Sequence, residues 1–535
     1  MSRKFLFLSV NSSYSHSSLA LPMLHGACKD VCNWSWDCIE CTIAEDAAEI
    51  ACKIAELAPD MVGASLYIFN RNAVLDILGR FHQLMPNCRI VLGGPECSGA
   101  GADELLKNHA FVSTVFVGEA EEIFAEYLTD FSADDIPRIL PPDGASRYDK
   151  WHETFPVNDI FFASGKAFVQ IETSRGCPLK CRYCTSASVP LRFKELEDVE
   201  KELSSVHAKG IKEVRLLDRT FNFPQERGAA LLKLFREKFP DMEFHLEIHP
   251  HFIGEELKDE LRIAPNLHIE AGIQSLDEKV QHAAGRNCRR SDALEGVKFL
   301  ASCDNFETHV DLLCGLPEQD SESIFSDVAD LINCGVDEIQ LETLKILHGT
   351  VFAERAEELG LIYSKNVPYD VMQTPTMNST DILYVRKLSR MLDLFYNHGT
   401  LRRAVQSIPL ENGNAVRNLL DFMIEKGVGS GRLFDLKKRV CMLADYAEKN
   451  NLTETQYEIA KVWIECSYPL GSLPFGTLEK FSGGIPSELQ SDEKIRNILN
   501  HKETKIWHLV CNGFVYNFAM NRNFKVNGSA CSWEE

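Results

Sequence analysis

The sequence predicts an α/β protein in three parts: a doubly wound parallel sheet, a partial (β/α)6 barrel, and a mainly helical C-terminal region. Two alternating series of short apolar runs and helical patterns predict the first two parts. A switch to long helical periodicities predicts the third. The expected boundaries are 1–131, a linker at 132–164, then 165–350 and 351–535.

In the first series FLFLSV, WSWDCIECTI, MVGASLYIF, CRIVLGG and STVFVG read as strands, with helical patterns such as DAAEIACKIAEL and NAVLDILGRFHQL between them. Strand–helix alternation at this spacing makes βαβ units, whose strands run parallel. Five such strands suit a flavodoxin-like order, with a ligand at the C-terminal strand edges. Pro137, Pro141, Pro142 and Pro156 then break the periodicity, as a linker does. The second series is AFVQIET, EVRLLD, EFHLEI, LHIEAGI, THVDLLCGL and DEIQLETL, again alternating with helices. Six βα units imply a partial barrel with its chemistry at the C-terminal strand ends. Beyond residue 351, DILYVRKLSRMLDLFYNHG, NAVRNLLDFMIEKG and ETQYEIAKVWIEC carry helical periods. Asn512-Gly513 marks a late hairpin.

Hydrophobic residues make up 45% and charged residues 25%, the balance of a globular protein. The net charge of −22 argues against nucleic acid or an anionic membrane as general partners. The early run FLFLSV meets Asn11 and Ser12 too soon for an export signal, and no 18-residue apolar run follows, so no transmembrane helix is expected. Eighteen cysteines without an export signal point to the cytoplasm, with most thiols reduced and buried.

Three of those cysteines share one loop. SRGCPLKCRYCTSA follows the first barrel strand and holds Cys177, Cys181 and Cys184 as C-x3-C-x2-C. Structural zinc takes four ligands, usually in separated pairs, and no fourth Cys or His follows nearby. Three thiolates can instead hold three irons of a 4Fe–4S cluster and leave the fourth open to a small chelating ligand. This spacing, with Tyr183 just before the third cysteine, resembles the radical S-adenosylmethionine (SAM) superfamily. The resemblance implies that the open iron chelates SAM, and that one electron from the cluster cleaves it to a 5′-deoxyadenosyl radical. The segments FHLEIHP, EAGIQSLD, AAGRN and HVDLLCGLP resemble the Elp3/coproporphyrinogen-oxidase-like branch. That likeness implies Glu247, Gln274 and Asp311 near the SAM ribose and Arg286 on its carboxylate, where a guanidinium fork matches two oxygens. In LLDRTFN, Asp218 falls beside the methionine end, where the Gly-Gly-Glu of many relatives is absent.

VLGGPE and FVGEAEE resemble the glycine turns of cobalamin-binding domains in cobalamin-dependent radical SAM proteins. The resemblance implies Gly93 and Gly94 at the corrin face, Gly118 and Glu119 in the same layer, and Ser65 and Tyr67 as the remaining wall. Glycine removes side chains where a flat ring must approach the backbone. YSHSSL departs from the Asp-x-His-x-x-Gly of many such domains, with Tyr14 for the Asp and Leu19 for the Gly. His16 is therefore expected to line the pocket rather than to ligate cobalt. NSSYSHSSLALPML and VPYDVMQTPTMNSTDILYV resemble a subgroup with its own C-terminal domain of unassigned function. Cys28, Cys32, Cys38 and Cys41 invite a second-cluster reading, but three-residue spacing on a strand sends Cys38 and Cys41 to opposite faces, so core packing is expected.

Together these resemblances imply a cobalamin-dependent radical SAM methyltransferase acting on an unactivated carbon. The radical would take a hydrogen from the substrate, the substrate radical would take a methyl group from methylcobalamin, and a second SAM would remethylate the cobalt. A non-methylating rearrangement or cyclisation keeps the same cofactors. A methylthiotransferase with an extra cluster would want a basic RNA-binding tail, which the −22 charge argues against. A non-catalytic sensor would not need the three-cysteine loop. The substrate stays open between a peptide, a small metabolite and a lipid precursor. A flavodoxin or ferredoxin is expected as electron donor.

Overall fold

Seven consecutive buried residues, 5–11, show that the first strand lies inside a sheet covered on both faces. The structure, a computed structural model, describes residues 2–16, 18–131, 136–146, 156–162, 166–480, 505–520 and 531–534. It divides into two units: Met1–Asp320 with Thr343–Ile382, and Ser321–Glu342 with Leu383–Glu535.

The first sheet and its helices comprise β1 (Arg3–Asn11), α1 (Ala20–Ala27), β2 (Trp34–Thr42), α2 (Ala47–Glu56), β3 (Met61–Ser65), α3 (Arg71–Leu84), β4 (Arg89–Gly93), α4 (Ala100–Asn108), β5 (Thr114–Phe116), α5 (Glu121–Thr129) and β6 (Ile139–Leu140). The strands pair in parallel in the order β2-β1-β3-β4-β5-β6, which contains the expected flavodoxin-like arrangement. Leu6, Leu8 and Val10 enter one core with Ile50, Ile54, Leu78 and Phe81. Phe5 and Phe7 enter the other with Phe116, Phe124 and Tyr127. Asp46 caps α2 by accepting the Ala48 and Glu49 N–H groups. The sixth strand lies in the expected linker: Ile139 and Leu140 pair with Val115 and Phe116. Two residues are too few to carry a period, so no strand signal exists there. Cys41 packs in the first core and Cys38 in the second, on opposite faces of β2 as their spacing requires.

The second sheet follows with β7 (Phe168–Ile171), β8 (Ser174–Arg175), β9 (Arg192–Phe193), α6 (Leu196–Ala208), β10 (Glu213–Leu216), α7 (Gln225–Lys238), β11 (Glu243–Ile248), α8 (Glu255–Ile263), β12 (Leu267–Gln274), α9 (Glu278–Ala283), α10 (Arg290–Ala301), β13 (Phe306–Cys314), α11 (Ser321–Cys334) and β14 (Glu338–Thr343). Its order is β7-β10-β11-β12-β13-β14, parallel from β7 to β13. All six expected barrel strands are present. β8 and β9 stand apart as an antiparallel ribbon that brackets the three-cysteine loop. Along β12, Leu267, Ile269, Ala271 and Ile273 are buried, while His268, Glu270, Gly272 and Gln274 are half-buried. Strand alternation thus gives the sheet one apolar face, packed on helices, and one polar face.

The chain continues through α12 (Val351–Glu354), the antiparallel pair β15 (Ile362–Tyr363) and β16 (Val371–Gln373), and α13 (Ser379–Met391). In the second unit α14 (Gly399–Gln406), α15 (Gly413–Glu425), α16 (Leu436–Lys449) and α17 (Thr453–Glu465) precede an antiparallel sheet of β17 (Thr477–Lys480), β18 (Lys505–Cys511), β19 (Phe514–Met520) and β20 (Cys531–Glu534). The C-terminal region is therefore helical first and β-structured at its end. Positive φ at both Asn512 and Gly513 makes the expected hairpin turn between β18 and β19. Among the described residues no helix is long and apolar enough to cross a membrane.

Candidate functional site

A cavity of about 380 Å³ opens within the first unit, between the C-terminal edges of the front sheet and the residues around the cysteine loop. Ser65, Tyr67, Gly93, Gly94, Gly118 and Glu119 line it from the front sheet. Glu172, Arg175, Gly176, Ser186, Leu217 and Arg219 line it from the barrel side. Phe5, Phe7, Phe116 and Phe124 make its wall apolar and aromatic. Gly94 has φ +96, and a Cβ there would fall 2.7 Å from the Leu66 carbonyl oxygen. A Cβ on Gly93 would clear Phe116 by 3.7 Å, so that glycine leaves usable space. The Tyr67 ring stacks on Phe69 at 5.5 Å and 13°, and burial pushes its hydroxyl pKa up. A flat apolar wall edged by glycine turns at strand ends fits a flat macrocycle. Gly93→Leu is expected to weaken cobalamin binding by about 100-fold or more, from filled space alone, with Tm almost unchanged. Equilibrium dialysis with hydroxocobalamin checks it, and unaltered binding would place the corrin elsewhere.

The expectation for His16 needs correction. It is not among the residues that line this cavity. Its Nδ1 lies 2.8 Å from Ser13 Oγ, and its ring meets Phe168 edge-on at 5.2 Å. Burial, with Arg215 and Lys166 nearby, lowers its pKa. The loop after β1 packs the imidazole against Phe168 of β7.

The cysteine loop leaves its ribbon through Gly176, φ +84, where a Cβ would fall 2.4 Å from the Pro190 carbonyl oxygen. Cys181 is buried, while Cys177 and Cys184 are half-buried. Cys177 Sγ lies 3.5 Å from Thr220 Oγ1, and burial raises its pKa. Among the described residues no three His, Cys, Asp or Glu side chains gather as ligands of one ion, these thiols included. The three thiols share a single loop with no fourth Cys or His nearby in the sequence, a donor set that fits three corners of a cluster better than a four-ligand zinc site.

Arg286 is 5% exposed and lies beneath that loop. Its Nε donates to Gln281 Oε1 at 3.1 Å and its Nη2 to the Gly272 carbonyl at 2.7 Å. Its Nη1 donates to Tyr183 Oη at 3.1 Å and to Cys181 Sγ at 3.4 Å. Burial opposes its charge, but Tyr183 and Cys181 outweigh that and raise its pKa. All three nitrogens have a partner inside the protein, so Arg286 holds the cysteine loop here, in place of the SAM carboxylate contact that the resemblance implies. Asp218 is corrected likewise. Its carboxylate is 2% exposed and accepts from the Thr173 N–H at 2.7 Å, the Ser174 N–H at 3.0 Å and the Thr173 hydroxyl. It ties the end of β7 to the end of β10 instead of facing a ligand.

Glu247, Gln274 and Asp311 fall on neighbouring strands and share the half-buried polar face. Glu247 pairs with Arg219, and Glu270 aligns with it in register. His309 Nε2 lies 3.4 Å from Asp311 Oδ1. His245 Nε2 lies 3.1 Å from Glu270 Oε2, and this contact leads the causes that hold the Glu270 carboxyl down to about 2 from its ordinary 4.5. Such a group stabilises the fold fully above its unfolded pKa and loses that contribution as pH falls through the folded one. Glu270→Gln is therefore expected to flatten the acid limb of stability between pH 4.5 and about 2. Urea titrations of cofactor-free protein check this, and an unchanged limb would refute it.

Arg219 and Glu172 are among the cavity residues that escaped sequence reasoning. Arg219 neighbours Asp218 on opposite strand-end parity, so only one of the two could face the cavity, and it is Arg219. Glu172 follows the strand run AFVQI and lines the cavity beside Tyr67; burial raises its pKa.

Comparison with known proteins follows the same division. The chain matches the Radical SAM superfamily over residues 171–332, the B12 binding domain over 6–128, and a protein of unknown function family, DUF4080, over 357–464. The last match extends further toward the C-terminus than the sequence resemblance did. An uncharacterised methyltransferase of Pyrococcus horikoshii is 22% identical over 409 residues, 68% of this chain and 88% of the relative. The cobalamin-dependent radical SAM methyltransferase TokK of Streptomyces tokunonensis is 23% identical over 418 residues, 70% of this chain; the chain spans 60% of TokK's length. The cobalamin-dependent SAM radical enzyme OxsB, solved with aqua-cobalamin and SAM, superposes with a TM-score of 0.56 at 13% identity, covering 88% of this chain and 81% of OxsB. The chain therefore carries, in order, a B12-binding domain at 6–128, a radical SAM domain at 171–332 and a DUF4080 domain at 357–464.

Proposed function

We propose that this protein is a cobalamin-dependent radical SAM methyltransferase that methylates an unactivated carbon. The observation that supports this most is one cavity lined both by the glycine turns of the B12-type sheet and by the stem of the three-cysteine loop. When bound, the cluster with SAM supplies a 5′-deoxyadenosyl radical and cobalamin supplies a methyl group. The protein supplies orientation and exclusion of water. Cys177, Cys181 and Cys184 would hold three irons, with Arg286 and Tyr183 bracing the middle of the loop. Glu247, Gln274 and Asp311 offer acceptors and a donor on the polar sheet face for ribose hydroxyls. Of the two guanidiniums that line the cavity, Arg175 is bound to three carboxylates and Arg219 to Glu247 alone, so Arg219 is the one that can turn to a ligand carboxylate. Gly93 and Gly94 leave room for the corrin, Ser65, Tyr67 and Gly118 wall it, and the four phenylalanines keep the interior dry. The chemistry requires an external reductant, for which a flavodoxin or ferredoxin is suited.

Anaerobic reconstitution tests the proposal without knowledge of the substrate. Purified protein should take up about four irons and one cobalt per chain. With SAM and dithionite it should form 5′-deoxyadenosine, and S-adenosylhomocysteine from methylation of the reduced corrinoid. Tightly bound zinc in place of iron would sink the cluster. 5′-Deoxyadenosine with no S-adenosylhomocysteine would favour a non-methylating reaction.

A further inference from the structure

Arg175 and Arg192 stand opposite one another in the β8–β9 ribbon, at the base of the cysteine loop. Both reach the same carboxylate. Glu119 Oε2 accepts from Arg175 Nη1 at 2.9 Å and from Arg192 Nη1 at 3.3 Å, and Glu119 Oε1 accepts from Arg192 Nη2. Arg175 has its remaining nitrogens occupied: Nη2 lies 2.8 Å from Glu121 Oε1, and Nε donates to Glu172 Oε2 at 2.8 Å. The five side chains are between 9% and 21% exposed.

Glu119 and Glu121 belong to the front sheet's last βα turn and to the start of α5, whereas Arg175, Arg192 and Glu172 belong to the barrel. Every bond from Glu119 and Glu121 to these arginines therefore joins the two layers that face the cavity. Desolvation offsets much of the attraction in a cluster this dry, so it adds little net stability. What it does fix is geometry, because two guanidinium forks on one carboxylate define distance and angle together. The position matters: Gly118 lies beside Glu119, Gly176 lies beside Arg175, and both glycines line the cavity. Cys177 is the next residue after Gly176. Glu119, expected from sequence to wall the corrin, does line the cavity, but both its carboxylate oxygens are held by the two arginines.

We propose that Glu119, Arg175 and Arg192 are positioning residues that latch the front sheet's glycine turn to the base of the cysteine loop and so set the gap between the corrin and the cluster. This rests on the function proposed above. The test uses the full chain, reconstituted with iron, sulfide and hydroxocobalamin and reduced with dithionite. Pulsed electron paramagnetic resonance then reads the dipolar coupling between cob(II)alamin and the reduced cluster. Wild-type protein should give one narrow distance distribution. Glu119→Gln and Arg192→Gln should broaden it while iron and cobalt uptake stay near wild type, with some loss of Tm because each takes a partner from a largely buried charge, and Arg192→Lys should recover much of the narrow form. With SAM added, the ratio of 5′-deoxyadenosine to S-adenosylhomocysteine should rise about tenfold or more in the two glutamine variants, because an ångström of misplacement costs orders of magnitude in rate. An unchanged distance distribution in both glutamine variants would overturn the latch alone. Wild-type protein that takes up iron but no cobalt would overturn the proposed function, and the latch with it. Should Glu119→Gln not fold, Arg192→Gln carries the same test from the barrel side.

Discussion

Replacing Cys177, Cys181 and Cys184 together with alanine is expected to abolish iron uptake and reduce 5′-deoxyadenosine formation to the background of cluster-free protein. Cobalamin binding should stay within about twofold of wild type, because the three thiols are not among the side chains that line the corrin cavity. The fold should survive: only Cys181 is fully buried, and truncating one small side chain in a core costs on the order of 1 kcal/mol. Metal analysis and product chromatography on one preparation suffice. SAM cleavage retained by the triple variant would remove the cluster from the mechanism altogether.

The second large effect concerns Arg286. In Arg286→Met the Gly272 carbonyl, Gln281 Oε1 and Tyr183 Oη all lose their donor in a largely buried site. Buried polar groups left unpaired cost about 1–3 kcal/mol each, so a loss of about 3–5 kcal/mol is expected from denaturant titration of cofactor-free protein. Iron retention should fall in parallel, because the donor to Cys181 goes with it. Arg286→Lys keeps the charge but cannot reach in three directions, and should fall between the two. The opposite pattern would decide the matter differently. Weakened SAM binding with unchanged stability and iron content would return Arg286 to the substrate carboxylate.

Sequence carried the architecture well because strands and helices announce themselves by period. It placed the cysteine loop at the correct end of β7 and the glycine turns at the C-terminal edges of β4 and β5. It failed where a side chain's partner is set by tertiary geometry. Asp218 and Arg286 look free in the sequence and are fully engaged in the structure, one by backbone N–H groups and the other by the cysteine loop. His16 sits on an irregular loop whose direction no local pattern encodes. β6 and the β8–β9 ribbon have two residues per strand, below the length at which alternation can be recognised. The ion pairs of Glu119 join residues 56 and 73 positions apart, and only the folded chain brings them together.

The interior place of β1 has a consequence for biosynthesis. β1 is made before both of its neighbours, β2 and β3, and the second of these starts at Met61. At roughly 5–20 residues per second, about 3–10 s pass before that edge can be covered. Until β3 is made, the edge of β1 that carries Phe5, Leu6, Phe7 and Leu8 has unpaired backbone groups and stays open to pairing with another chain.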